Sequence, residues 1–169
     1  MKKVYLLRHA EKDVKGILTP QGEAATAGAR STMPHLAKVI ASPSNRASLT
    51  AKLLTGAEPV IDERANFSMS SQDKSDAMNK IANERQVPFL EAVQIYNDPE
   101  VLAGVDRKAD ELNELIDELL AGLRDGESAL IVSHDLSISP AMAKRGIPLE
   151  SVDFLKGYVV SDLPDIQRF

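Results

Sequence analysis

Two short segments of the chain carry residue types suited to binding and transferring an anionic group. Arg8 and His9 directly follow one apolar run, and His134 and Asp135 directly follow another. Arginine offers a permanently charged, planar fork to phosphoryl or carboxylate oxygens, whereas histidine can act as a nucleophile or exchange a proton near neutral pH. The two segments predict an anion site with a reactive imidazole, although Arg8 and His9 alone would also fit a strand end with a surface ion pair.

The elements that position these residues are short strands followed by helix-start signals. Strands are predicted at runs dominated by apolar residues, namely Val4–Leu7, Lys38–Ser42, Pro59–Ile61 and Ser128–Ser133. Helices are predicted from capping residues and apolar periodicity at Pro20–Thr32, Asn45–Thr55, Ser75–Asn83, Pro88–Tyr96, Asp106–Leu123 and Leu136–Lys144. A closing pair of strands is predicted at Val152–Phe154 and Gly157–Val160.

Strands that alternate with helices imply an α/β fold, a three-layer α/β/α sandwich around a mostly parallel central sheet. The carboxyl ends of parallel strands meet at one edge of such a sheet, where ligands bind. Arg46 falls in the first turn of the helix after the second strand, at a helix end that already favours an anion. We therefore expect Arg8, His9, Arg46 and His134 to converge on one dianionic phosphoryl group.

Length and composition limit the classes of function. The 169 residues predict one domain over residues 1–169, with a helical insertion over the site at about 62–104. The net charge of −5 gives no general attraction to nucleic acid or to an anionic membrane. The chain has no cysteine for thiolate chemistry, and its three histidines lie far apart in sequence, so no metal site is expected. No signal-peptide core and no apolar run of bilayer length occur, which predicts a cytoplasmic protein.

Four motifs occur together along the chain: Leu7-Arg8-His9-Ala10, Leu18-Thr19-x-x-Gly22, Ser42-Pro43-x-x-Arg46-Ala47-x-x-Thr50-Ala51 and Val132-Ser133-His134. This combination resembles the histidine phosphatase superfamily, also called the phosphoglycerate mutase-like superfamily. The short length and the first motif look most like the small phosphohistidine phosphatases of the SixA type. The resemblance implies the phosphoglycerate mutase-like form of the α/β/α sandwich.

The resemblance also implies a role for each residue of the site. His9 would be the nucleophile, forming a covalent phosphohistidine that water later cleaves, while Arg8, Arg46 and His134 would bind the phosphoryl oxygens. These roles require neither a metal nor a cofactor. They agree with general chemistry, because phosphoryl transfer depends mainly on positioning and charge stabilisation.

The proton donor is where the match to the superfamily is weakest. Members of the superfamily place a donor directly after the second histidine or use a glutamate from the middle of the chain, and SixA-type proteins can lack an obvious donor. Asp135 is therefore the first candidate for the acid, with helix capping as its alternative role, and Glu63 is the second candidate. Ser133 and Asp135-Leu136 also differ from the residues that flank this histidine in many relatives.

The function that fits these observations is a phosphatase acting on a phosphomonoester or on protein phosphohistidine. The segment 62–104 is poor in basic residues, and a mutase would need such residues to grip a second phosphate. Hydrolysis is therefore expected, with a phosphorylated small molecule or a phosphohistidine protein as the partner. A phosphate-binding module without turnover and a phosphomutase remain alternatives.

Overall fold

A central six-stranded sheet organises the computed structural model, which describes residues 1–69, 71–163 and 165–169. The strands are β1 (Lys3–Arg8), β2 (Lys38–Ala41), β3 (Val60–Ile61), β4 (Ser128–Ser133), β5 (Gly157–Ser161) and β6 (Ile166–Arg168). Their spatial order is β3-β2-β4-β1-β5-β6. Strands β1 to β4 are mutually parallel, whereas β5 runs antiparallel to β1 and β6 antiparallel to β5. The prediction of a mostly parallel sheet is confirmed.

Helices cover both faces of the sheet. They are α1 (Pro20–Ala29), α2 (Asn45–Thr55), α3 (Gln72–Arg85), α4 (Phe89–Tyr96), α5 (Pro99–Gly122) and α6 (Asp135–Lys144). Alternate residues of β4 face different layers, since Ala129 and Ile131 pack in the core with α5 and α6, whereas Leu130 and Val132 pack with α2. This alternation produces the predicted three-layer sandwich. Among the described residues, no helix is both long enough and apolar enough to cross a bilayer.

The helices begin and end at the residues whose chemistry favours those positions. Thr19 caps α1, because its hydroxyl accepts a hydrogen bond from the Gly22 amide at 3.0 Å and Pro20 occupies the first helical position. Gly56 ends α2 in the left-handed region at φ 77°. Arg46 consequently lies in the first turn of α2, close to the carboxyl end of β2.

The segment between β3 and β4 is more helical than the sequence indicates. Helix α3 is longer than the predicted Ser75–Asn83, and α5 starts at Pro99 rather than Asp106. The earlier start of α5 has a local cause, since the Asp98 carboxylate accepts hydrogen bonds from two amides of its first turn. Met78, Leu90 and Val93 form a separate apolar cluster with the start of α5, which holds α3 and α4 together beside the sheet.

The predicted strand at Val152–Phe154 is wrong, because these residues form the loop that precedes β5. The Val152 side chain packs in the main core, and the Phe154 ring lies against Arg8 at the end of β1. Strand β5 itself lies where the sequence predicts it, whereas β6 was not predicted. Gly157 begins β5 at a point where the backbones approach closely, since a Cβ atom there would lie 1.7 Å from the Leu6 carbonyl oxygen.

Candidate active site

The carboxyl ends of β1, β4 and β2 lie side by side and carry the predicted site residues. In register, Arg8 is the partner of Ser133 and Val132 is the partner of Ala41, so the three strands end at nearly the same level. A cavity of about 650 Å³ opens at this edge, and five of the six predicted site residues line it: Arg8, His9, Arg46, His134 and Asp135. The predicted convergence of these side chains is therefore present in the structure.

Arg46 bridges two imidazoles at the floor of the cavity. Its Nε donates to Nε2 of His9 at 3.1 Å, and its Nη2 donates to Nδ1 of His134 at 3.3 Å. The two imidazole centroids are 5.3 Å apart, and both rings are almost completely buried. A phosphoryl group at this position would lie within reach of both rings and of the guanidinium.

The hydrogen bonds assign a tautomer to His9. Its Nδ1 lies 2.8 Å from the Ala10 carbonyl oxygen, which can only accept, so Nδ1 carries the proton. Nε2 is then unprotonated, and its lone pair points toward Arg46. The nitrogen that faces the cavity is therefore the one able to act as a nucleophile.

His134 is held by a chain of hydrogen bonds through Ser42 and Asn66. Its Nε2 lies 2.8 Å from the Ser42 hydroxyl, and that hydroxyl can donate to Oδ1 of Asn66 at 3.1 Å. Because Nδ1 accepts from Arg46, Nε2 carries the proton and donates to Ser42. Ser42 thus fixes the orientation of the second imidazole.

Both imidazoles are neutral in this environment. Burial lowers the pKa of His9 to about 3; the hydrogen bond to the Ala10 carbonyl acts in the opposite direction, and the nearby charges of Arg46 and Arg8 lower the pKa further. Burial, followed by the charge of Arg46, also lowers the pKa of His134 well below its usual value. Protonation of either ring would place a further positive charge beside two arginines.

Arg8 is held from one side by the loop that precedes β5. Its Nη1 donates to the Val152 carbonyl oxygen, and its guanidinium lies 4.3 Å from the centroid of the Phe154 ring. Its Nε is buried and has no hydrogen-bond partner within the described part of the chain. The same ring also lies 5.7 Å from the His9 ring, between centroids. The loop that the sequence predicted as a strand therefore packs against Arg8 and His9, although its residues are not among those that line the cavity.

Asp135 is engaged by the same loop. Its Oδ1 accepts from the Val152 amide at 2.8 Å and from the Ser139 hydroxyl at 2.6 Å, while Oδ2 accepts from the Ser151 hydroxyl. Oδ2 also lies 3.9 Å from Nη1 of Arg8. The helix-capping alternative for Asp135 is wrong, because His134 is the N-cap residue and Asp135 the first residue of α6.

Glu63 is the predicted site residue that the structure leaves outside the cavity wall. It is exposed at the start of a 3-10 turn, and its Oε2 accepts from Nδ2 of Asn66 at 3.1 Å. Asn66 itself lines the cavity and contacts Ser42. Glu63 therefore reaches His134 only through two intervening side chains.

Sequence reasoning assigned no role to Lys12, Ser42 or Asn66, which all contribute to the site. Lys12 lines the cavity, and burial together with the charges of Arg46 and Arg8 lowers its pKa. Ser42 directly follows β2, as His9 follows β1 and His134 follows β4. That shared position at a strand end is a signal that could have identified Ser42, whereas nothing comparable marks Asn66.

Comparisons with known proteins identify similar structures but no similar sequences. No family model matches the chain, and no curated protein matches it. Bacillus stearothermophilus YhfR is 23% identical with a TM-score of 0.65, over 99% of this chain and 95% of that one. A mycobacterial glucosyl-3-phosphoglycerate phosphatase is 16% identical with a TM-score of 0.65, over 93% and 88% of the two chains. A histidine-to-alanine mutant of Entamoeba histolytica phosphoserine phosphatase, solved with phosphoserine, is 17% identical with a TM-score of 0.65, over 99% and 95%.

These three proteins share one architecture with this chain across nearly its whole length. At identities this low the likeness concerns the arrangement of the backbone and leaves the activity open. The fold expected from the four motifs is nevertheless the one found. The chain has the phosphoglycerate mutase-like fold, which it shares with these three proteins.

Proposed function

We propose that this chain is a phosphatase that hydrolyses a phosphomonoester through a covalent phosphohistidine on His9. The observation that carries the proposal is the environment of His9 Nε2, which is unprotonated, buried and 3.1 Å from an arginine Nε. A neutral imidazole among fixed positive charges combines a nucleophile with the means to bind a phosphoryl group.

In the first step, the lone pair of His9 Nε2 forms a bond to phosphorus while the bond from phosphorus to the leaving oxygen breaks. Arg46 then donates to phosphoryl oxygens rather than to Nε2, which frees the lone pair for attack. The leaving oxygen takes up one proton, from solvent water in the cavity or from Asp135 if that carboxyl group is the acid, and the attacking water gives up one proton in the second step. In the second step, water attacks phosphorus, the P–N bond breaks, and inorganic phosphate departs with His9 restored.

His134 supports both steps by contacting a phosphoryl oxygen on the side opposite His9. The Ser42 hydroxyl can accept from His134 Nε2 or donate to it. When Ser42 donates, the proton of the ring is on Nδ1, which faces the cavity. The second histidine can therefore supply a neutral hydrogen-bond donor to the phosphoryl group without becoming charged.

Asp135 has two candidate roles: it could donate the leaving-group proton, or it could position Arg8. The carboxyl group lies beside the cavity, which supports the predicted role as the acid. Its hydrogen bonds to Ser139, Ser151 and Val152 and its position near Arg8 support a positioning role instead. We favour the positioning role, because both carboxylate oxygens already accept hydrogen bonds. Glu63 is a less direct donor, since its contact with the site runs through Asn66.

The test compares hydrolysis of p-nitrophenyl phosphate by the unmodified protein, His9→Ala and His35→Ala. His35 is exposed and is not among the residues that line the cavity, so it serves as the control. Loss of the nucleophile should lower kcat by about 10³-fold or more, whereas His35→Ala should keep full activity. Rapid quenching in alkali should trap a labelled phosphohistidine in the unmodified protein and in His35→Ala, but not in His9→Ala.

Three outcomes would contradict the proposal. Equal rates for His9→Ala and the unmodified protein would place the chemistry elsewhere. Phosphate binding without hydrolysis by any of the three proteins would favour a phosphate-binding module. Transfer of the label to a second hydroxyl of the substrate, in place of release as inorganic phosphate, would identify a mutase. A phosphohistidine peptide offered in parallel tests the SixA-type substrate.

A further inference from the structure

We infer that the physiological substrate is a small sugar or polyol monophosphate, whose uncharged leaving group is held by a wall of the cavity formed around α3. This inference rests on the proposed phosphatase function and names the class of substrate for that same site. We call this surface the canopy wall. It comprises the cavity-lining residues Phe67, Ser71, Gln72, Ser75, Asn79 and Phe89.

One part of the canopy wall offers neutral hydrogen-bonding groups. Ser75 and Asn79 are four residues apart on α3, so they lie on the same face of the helix, and both line the cavity. Gln72 precedes Ser75 by three residues and continues this face. Hydroxyl and amide groups can each donate and accept, which matches the two-way hydrogen bonding of sugar hydroxyls.

The other part of the canopy wall is aromatic. Phe67 and Phe89 line the cavity and pack against the apolar cluster of Met78 and Leu90. That packing holds the rings in place while they remain only partly buried. A wall that combines aromatic rings with neutral polar groups suits a ligand that has both C–H groups and hydroxyl groups, as a sugar or polyol does.

The canopy wall carries no charge. The charged residues that line the cavity in the described part of the chain are Arg8, Lys12, Arg46 and Asp135, all near the strand ends. The cation nearest to the wall in sequence, Lys74, is paired outside the cavity, because its Nζ lies 2.8 Å from Asp98 and 2.7 Å from Glu100. A leaving group with its own carboxylate would find no partner on this wall.

The size and shape of the cavity favour a small molecule over a protein substrate. Its volume of about 650 Å³ falls within the range of roughly 300–1,000 Å³ typical of small-molecule sites. A folded protein cannot enter a cavity of this volume, so its phosphohistidine would have to reach His9 from the rim. A monophosphate with a leaving group of a few carbons meets no such obstacle.

The experiment measures kcat/KM for a hexose 6-phosphate, glycerol phosphate, 3-phosphoglycerate, phosphoserine and a phosphohistidine peptide. We expect the hexose and glycerol esters to exceed the two carboxylate esters and the peptide by about tenfold or more, since one unpaired charge in a neutral site costs at least that factor. Preference for a carboxylate ester or for the peptide would overturn the inference.

Variants of Asn79 test the wall itself. Asn79→Ala should lower kcat/KM for the hexose ester by about three- to tenfold more than for p-nitrophenyl phosphate, as expected for one neutral hydrogen bond. Asn79→Lys should raise kcat/KM for 3-phosphoglycerate by about tenfold, because it adds the missing cation. Asn83→Ala, one turn further along α3 and outside the cavity lining, should change neither ratio.

The design separates failure of this inference from failure of the proposed function. Hydrolysis of p-nitrophenyl phosphate that depends on His9, without any preference for the hydroxylated esters, would refute the inference alone. Calorimetric binding of the same five ligands to the His9→Ala variant measures the preference without turnover. Equal affinity for all five ligands there would refute the inference even in a protein without phosphatase activity.

Discussion

Replacement of Asp135 by asparagine separates the two roles proposed for this carboxylate. The substitution keeps the shape of the side chain but removes its negative charge and converts one acceptor oxygen into a donor. The Val152 amide and the Ser139 hydroxyl can still bond to the remaining oxygen. The groups that lose most are Ser151, which must reverse its hydroxyl, and Arg8, which loses its nearest opposite charge.

The distance between the charges sets the size of the effect. Nη1 of Arg8 and Oδ2 of Asp135 are 3.9 Å apart, and unit charges at that distance attract by about 4 kcal/mol at an effective dielectric constant of 20. The contacts of Arg8 with Val152 and Phe154 survive and offset part of this loss. We expect the free energy of unfolding to fall by about 2–4 kcal/mol and Tm by about 5–15 °C.

The assay compares two substrates that differ in how much they need an acid. p-Nitrophenolate leaves readily without a proton, whereas the alkoxide of glycerol phosphate does not. If Asp135 positions Arg8, Asp135→Asn should lower kcat/KM for both substrates in similar proportion. Glu114→Gln, at an exposed carboxylate of α5 outside the cavity lining, serves as the control and should change stability and activity little.

The opposite pattern would refute this reasoning. If Asp135 is the general acid, the loss should be concentrated on glycerol phosphate, by about 10²–10⁴-fold, with p-nitrophenyl phosphate nearly unaffected. Unchanged thermal stability in the same variant would also contradict the positioning role, because it would show that Arg8 needs no counter-charge.

Three further predictions concern stability and the second imidazole. Burial holds the pKa of His9 near 3, whereas this histidine protonates near pH 6.5 in the unfolded chain, so stability should fall as pH drops below 6.5. Between pH 6.5 and 4.5 this single group lowers the free energy of unfolding by about 2–3 kcal/mol. Denaturant titrations at several pH values should show a correspondingly weaker dependence of the unfolding free energy on pH in His9→Ala. Ser42→Ala removes the partner of His134 Nε2 and should lower stability by about 1–2 kcal/mol and kcat by about tenfold; steady-state rates equal to those of the unmodified protein would contradict it. Gly157→Ala places a Cβ against a backbone oxygen of β1 and should lower the unfolding free energy by about 3 kcal/mol or more. In the control Gly104→Ala in α5, the added Cβ meets no atom within 4 Å, and the unfolding free energy should rise by about 0.5–1 kcal/mol. Thermal melts of the two variants measure both effects.

The parts of the fold that the sequence predicts are those with a strong local signal. The four parallel strands follow from short apolar runs, and the convergence of Arg8, Arg46 and His134 follows from the rule that parallel strands end at one edge. The order of the strands does not follow, because nothing local indicates that β4 lies between β2 and β1.

The site was predicted where chemistry is visible in the residue type and missed where it depends on neighbours. Val152 and Phe154 have the composition of a strand, yet they hold a buried arginine through a carbonyl oxygen and a ring face. Lys12 and Asn66 are common surface residue types, and only the packing of the middle segment against the strand ends places them in the cavity. The contacts of Arg8 with Val152 and Phe154 join residues more than a hundred positions apart, which no periodicity reveals.

The position of β1 in the sheet has a consequence for how the protein is made. The strand partners of β1 are β4 and β5, and Lys3 pairs with Ser128 and Ser161. Both edges of β1 are therefore paired only when these distant residues are present. Contacts this distant in sequence slow folding and leave apolar strands unpaired in the meantime. On the ribosome, the segment that carries His9 emerges before β4, and β1 gains its strand partners only after more than a hundred further residues have been translated. A nascent chain that stops before β4 therefore exposes an unpaired apolar strand and lacks part of the proposed phosphate site.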